Sequence, residues 1–138
     1  MVAGEVARAE SARSDRRPKP VRWLGDSLRR LRDFPEDVKD DMGAALFWAQ
    51  NGAKHPDAKP LRGFGDAQVL EIIENHDRDT YRVVYTVRFE DRLYVLHAFQ
   101  KKSKKQDRTP AHEINLIRER LKQATRMDAD EHRDRMKS

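Results

Sequence analysis

The sequence predicts an α+β domain: a small antiparallel sheet of about four strands, with two helices before the main run of strands and one helix after it. Two observations carry this expectation. Apolar residues recur at helical spacing near residues 27–50 and 109–125, and between them lie three β-branched and aromatic runs joined by short polar links. Helices grouped apart from a run of strands are the pattern of an α+β layer, so the helices are expected to cover one sheet face and leave the other free to work.

Each element follows from local signals. Residues 1–20 have two prolines and no apolar period, which predicts a disordered arm, because nothing there offsets the entropy of ordering. Val21 to Leu24 is a short strand closed by Gly25 and Asp26, and Ser27 caps a helix carrying Leu28 and Leu31. Pro35 breaks that helix and opens the next one. Val38, Met42, Ala45, Leu46 and Ala49 form the second helix's stripe, and Asn51-Gly52 ends it. Residues 53–67 hold too many prolines and glycines for regular structure. Gln68–Asn75, Thr80–Phe89 and Leu93–Phe99 then read as an antiparallel meander. In the middle strand, alternation sets Tyr81, Val83, Tyr85, Val87 and Phe89 on one face and Arg82, Val84, Thr86 and Arg88 on the other. Thr109-Pro110 marks a helix start, with Thr109 as cap, and Ile114, Ile117, Leu121 and Ala124 give the stripe. Residues 126–138 lose the period and read as a charged flexible tail, which leaves one domain over residues 21–125.

Composition narrows the function classes. With 138 residues, 37% hydrophobic and 38% charged, the chain can build one modest core under a heavily charged surface. No apolar run nears the ~20 residues of a membrane span, and the N-terminal stretch lacks a secretory apolar core, so a cytoplasmic protein with no membrane partner is expected. The absence of cysteine removes disulfides, thiol nucleophiles and sulfur-ligated zinc, and no metal or small-molecule cofactor is expected. Phosphate-loop, dinucleotide, nucleophile-elbow and metalloprotease motifs are all missing from the sequence. A net charge of +5 points to a polyanionic partner without identifying it.

The placement of the charges says more. His97-Ala98-Phe99-Gln100 leads into Lys101, Lys102, Lys104 and Lys105, a cluster that suits phosphates of any sequence and equally suits a solvated loop. Arg82 sits mid-strand among apolar residues, where a charge is costly unless it faces a groove or an acid. It is either a clamp for phosphate oxygens or a salt-bridge partner of Glu71 or Glu74. His97 shares its strand face with Leu93, Val95 and Phe99 by alternation, which favours a hydrogen-bonded core histidine over a proton carrier. Lys59 and Arg62 flank the sheet if their loop crosses it, and Tyr94 is the aromatic that alternation leaves exposed.

Taken in order, Lys59-Pro60-Leu61-Arg62-Gly63, Leu70-Glu71, Tyr81-Arg82-Val83-Val84-Tyr85, Leu96-His97-Ala98-Phe99-Gln100-Lys101-Lys102 and Thr109-Pro110 resemble the phage-related, HigB-like branch of the RelE/ParE toxin superfamily. The resemblance spans about residues 21–125. It implies a small α+β toxin of a type II toxin-antitoxin pair that cuts mRNA on the ribosome without a metal, with a cognate helix-turn-helix antitoxin as partner. On it, Arg82 matches the arginine at the scissile phosphate, Lys101 and Lys102 the basic pair after the last strand, and His97 a frequent histidine of the family. Lys59 and Arg62, with Lys104 and Lys105, become RNA contacts. Two departures stand out: Ile72-Ile73 replaces an arginine that often follows Leu-Glu, and the arm before residue 21 is long. Other members poison DNA gyrase, so a non-enzymatic gyrase inhibitor is the alternative, and a basic nucleic-acid-binding module without catalysis is a third.

Overall fold

A computed structural model describes residues 17–102 and 108–137. The order is β1 (Val21–Trp23), α1 (Ser27–Arg32), α2 (Glu36–Gln50), β2 (Lys59–Pro60), a 3-10 turn (Gly65–Ala67), β3 (Val69–His76), β4 (Asp79–Thr86), β5 (Leu93–Lys101) and α3 (Ala111–Lys137). The five strands form one mixed sheet in the order β1-β5-β4-β3-β2. The meander is antiparallel, whereas β1 runs parallel to β5, with Val21 beside Leu93 and Trp23 beside Val95. A fifth strand arises because Lys59-Pro60 pairs with Leu70-Glu71 within what the sequence reads as a plain loop. Proline is tolerated there because β2 is an edge strand.

The helices lie on both faces of the sheet, which corrects the expectation of a single covered face. Val38, Met42, Ala45 and Leu46 of α2 and Leu31 of α1 pack on Ile72, Tyr81, Val83, Tyr85, Leu93 and Val95. On the opposite face Ile117 and Ala124 of α3 pack on Val69, Val84, Tyr94, Leu96 and Phe99. The continuous apolar run of β5 carries this signal: a strand buried on both sides loses the in-out alternation of a half-exposed one. Tyr94 is accordingly buried against Phe89, with ring centroids 5.2 Å apart, and not exposed as alternation suggests.

A β-bulge changes the facing of His97. Val84 pairs with His97 and Tyr85 with Val95, so Leu96 is the extra residue and the alternation slips by one. Leu93 and Val95 face α1 and α2, whereas Leu96, His97 and Phe99 all turn toward α3. The rings of His97 and Phe99 stack at 5.0 Å.

Two ends of the chain differ from the sequence reading. Residues 1–16 of the expected arm lie outside the described residues, but Lys19 is buried: its backbone N–H donates to Gln50 O at 2.8 Å and its Nζ to Phe89 O at 3.0 Å. At the other end α3 continues to Lys137, through residues read as a flexible tail. Ion pairs hold this polar extension: Glu131 meets Arg22 and Arg92, and Arg135 meets Asp91 at 2.9 Å.

One charged strut joins the faces near the start of α1. Arg120 of α3 donates to Leu96 O at 3.0 Å, to His97 Nδ1 at 3.1 Å and to Asp26 Oδ1 at 2.9 Å. Gly25, at φ +54°, passes beneath that guanidinium, and a Cβ there would meet Arg120 Nη2 at 2.4 Å. The hydrogen bond from Arg30, with Arg120 adding to it, holds the Asp26 carboxyl well below the usual carboxylate range. Arg120→Met leaves several of these acceptors without a donor and is expected to lower the unfolding free energy by about 3 kcal/mol, read by urea denaturation.

Candidate functional site

A cleft of about 550 Å³ opens between the β2–β3 edge and the start of α3. Its cations come from three places. Lys59 stands on β2 directly across from Glu71. Arg62 follows on the loop that α3 secures, where Arg118 donates to Gly63 O at 3.0 Å and lies 4.7 Å from the Phe64 ring centroid. Arg108 comes from the residues leading into α3. All three are exposed. Pro60, Leu61, Ile73 and Ile114 make the walls apolar.

The floor carries one carboxylate. Glu71, 7% exposed, accepts from Thr109 Oγ1 at 2.6 Å and from Arg82 Nη1 at 3.2 Å, both at Oε2, while Arg82 Nη1 also donates to Thr109 Oγ1 at 2.9 Å. Three groups on β3, β4 and the lead-in to α3 therefore close a small polar ring. A charge as deeply buried as Arg82 is stable only with such a counter-charge. The Oε1 oxygen of Glu71 makes no hydrogen bond among the described residues. Three cations and one carboxylate around a polar-floored, apolar-walled groove can hold a phosphodiester backbone.

With this geometry in view, comparison with known proteins places the sequence. The sequence model of the phage-derived Gp49-like proteins matches residues 29–122, more than half of the chain. The chain belongs to the Gp49-like family. That membership agrees with the phage-related resemblance carried by the Lys59–Gly63, Tyr81–Tyr85 and Leu96–Lys102 motifs. Among solved structures, a chain of the toxin-antitoxin complex RelBE2 from Mycobacterium tuberculosis is similar at 20% identity with a TM-score of 0.43, over 62% of this chain and 100% of that one. No curated protein matches the sequence.

Within this Gp49-like protein the residues singled out by sequence separate into distinct places. Lys59 and Arg62 line the cleft. Arg82 is fully buried, so the reading of it as a surface phosphate clamp is corrected in favour of the salt bridge with Glu71. His97 is fully buried too. Because a guanidinium only donates, Arg120 fixes Nδ1 as acceptor, and Nε2 carries the proton to Glu113 Oε1 at 2.6 Å. Lys101 is half-buried opposite Thr80 at the end of β5 and Lys102 is exposed, and neither lines the cleft. Lys104 and Lys105 lie outside the described residues. Among the described residues no group of three or more His, Asp or Glu is placed to hold a metal ion.

Sequence reasoning missed Glu71 as a cleft residue, as well as Arg108 and the hydroxyl of Thr109. Thr109 was expected to cap α3. Its hydroxyl donates to Glu71 instead, and Pro110 O accepts the Ile114 N–H at 3.0 Å. The available signal was a carboxylate in the apolar run Val69-Leu70-Glu71-Ile72-Ile73, matched by a guanidinium in the next strand.

Burial pushes the His97 imidazole below its usual 6.5, outweighing the opposing pull of Glu113. The unfolded chain takes up this proton more readily than the folded one, so the stability associated with His97 is complete above about pH 6.5 and declines as pH falls through the depressed folded value. Glu74 acts in the opposite sense: burial and the nearby Asp41 raise it to about 7. The difference between proteins isolates the histidine. Between pH 7.5 and 5.5 the urea midpoint of wild type is expected to fall further than that of His97→Gln, and equal shifts would contradict the assignment.

Proposed function

We propose that this Gp49-like protein is the toxin of a type II toxin-antitoxin pair, and that it cuts mRNA on the ribosome without a metal. The observation that carries this is the ring of Lys59, Arg62 and Arg108 around a groove with a tied carboxylate on its floor. Family membership and the Lys59–Gly63, Tyr81–Tyr85 and Leu96–Lys102 motifs support it. In this reading the three cations hold the RNA backbone, and Lys101, Lys102, Lys104 and Lys105 add further positive charge for it. Arg82 acts from behind Glu71 as a positioning residue and not as a surface clamp. The partners are mRNA, the ribosome and a helix-turn-helix antitoxin whose acidic surface would cover the groove, and the site of action is the cytoplasm.

The chemistry is attack of a ribose 2′-oxygen on the adjacent phosphate, with cations offsetting charge on the pentavalent phosphorane. The burial of Arg82 and His97 favours one second reading, a toxin that inhibits DNA gyrase without cutting RNA. Mapping transcript 5′ ends after expression of wild type and of the triple variant Lys59→Ala/Arg62→Ala/Arg108→Ala tests the first reading. Wild type should arrest growth and create new ends, and the triple variant should lose about 100-fold or more of the cleavage, the usual effect of removing even one stabilising donor. Arrest without new ends, together with loss of supercoiling by gyrase, would replace the nuclease with the second reading.

A further inference from the structure

The groove contains a group that RNA binding alone does not call for. A carboxylate among phosphate-holding cations repels the ligand it adjoins, so its presence at the floor needs a reason. Neutralising Arg82 is one reason, but that takes a single oxygen: Arg82 and Thr109 both bond Oε2. The second oxygen, Oε1, makes no hydrogen bond among the described residues, and the residue lines the groove between Lys59 and Thr109.

We propose that Glu71 Oε1 is the general base of the cleavage reaction, and that Arg82 and Thr109 are positioning residues that fix the carboxylate through Oε2. The inference rests on the nuclease reading. It supplies what His97 does not, because both nitrogens of that ring are occupied by Arg120 and Glu113 behind β5. In the reaction Oε1 takes the proton of the ribose 2′-hydroxyl as the O2′–P bond forms. The P–O5′ bond then breaks, and the 5′-oxygen takes a proton from water, giving a 2′,3′-cyclic phosphate and a 5′-hydroxyl end. Glu71 returns its proton to solvent. Lys59, directly across from Glu71, is placed to offset charge on the phosphate oxygens.

The two bonds at Oε2 matter because general-base catalysis requires the acceptor within hydrogen-bond reach of the proton. A free glutamate would swing among rotamers, whereas this one has one oxygen held by a hydroxyl from the α3 side and a guanidinium from β4.

The test compares full-length wild type, Glu71→Gln and Glu71→Asp on ribosomes programmed with a defined mRNA, reading single-turnover cleavage against pH, RNA binding and thermal melting. Glu71→Gln is expected to cleave about 100 to 10,000 times more slowly, the usual range for a lost general base. It should bind RNA as well as wild type or more tightly, because a negative charge has left the groove. The wild-type rate should rise from acid pH to a plateau, and that acid limb should vanish in Glu71→Gln. Glu71→Asp keeps the counter-charge of Arg82, so it guards against a fold that fails without it. Drawing the carboxylate back by one methylene should slow cleavage about 100-fold while the acid limb persists. Wild-type rates in either folded variant, or an acid limb surviving in Glu71→Gln, would overturn the assignment while leaving the nuclease intact. A wild type that binds the programmed ribosome and cuts at no pH would overturn the nuclease reading and this inference together.

Discussion

A guanidinium with no solvent exposure in the middle of a sheet constrains everything built around it. At the centre of β4, Arg82 is met by Glu71 beside it on β3 and by Thr109, which reaches down from the lead-in to α3. Breaking such a buried pair by removing one partner costs about 3–5 kcal/mol, a large part of what a domain of this size has in reserve. The ring also has a spatial consequence. It brings the residues before α3 onto the β3 edge, so that Arg108, Lys59 and Arg62 surround a single groove. The candidate site is thus the outer side of a structural necessity, with buried and solvent-facing charges organised through one carboxylate.

The N-terminal half of α3 is anchored by a second polar assembly of the same kind. Arg120 joins Asp26, Leu96 O and His97, and His97 in turn holds Glu113. On either side of Arg120 the helix contributes Ile117 and Ala124 to the apolar layer over β4 and β5. Its charged C-terminal half then rests on ion pairs with Arg22, Arg92 and Asp91. A helix fixed by ionic contacts at several points along its length can serve as a rigid wall for the groove, which is what positioning chemistry requires.

Much of this was legible from residues alone, and what was missed has physical causes. The α1 and α2 stripes, the three meander strands and the α3 stripe follow from periodicity, and each lies within a few residues of its expected place. The bulge at Leu96 was not legible, because one extra residue leaves composition unchanged while turning His97 and Phe99 to the other face. The polar half of α3 resembles a tail in the sequence because its support is ionic and long-range and leaves no apolar period. For the site, motif resemblance points to Lys59 and Arg62, whereas the strand pattern alone leaves Arg82 open between clamp and salt bridge. Glu71, one of the two carboxylates that the sequence offers Arg82 as salt-bridge partner, is in the structure both that partner and the floor of the groove.

A double-mutant cycle between Arg82 and Glu71 measures the central constraint without reference to any activity. Arg82→Met, Glu71→Met and the double variant would be compared with wild type by urea denaturation. The account predicts that each single change is severe, that the double is much milder than their sum, and that the coupling energy reaches about 2–3 kcal/mol. Single effects that simply add, to within about 0.5 kcal/mol, would show that the two charges do not depend on each other and would contradict the account at its base.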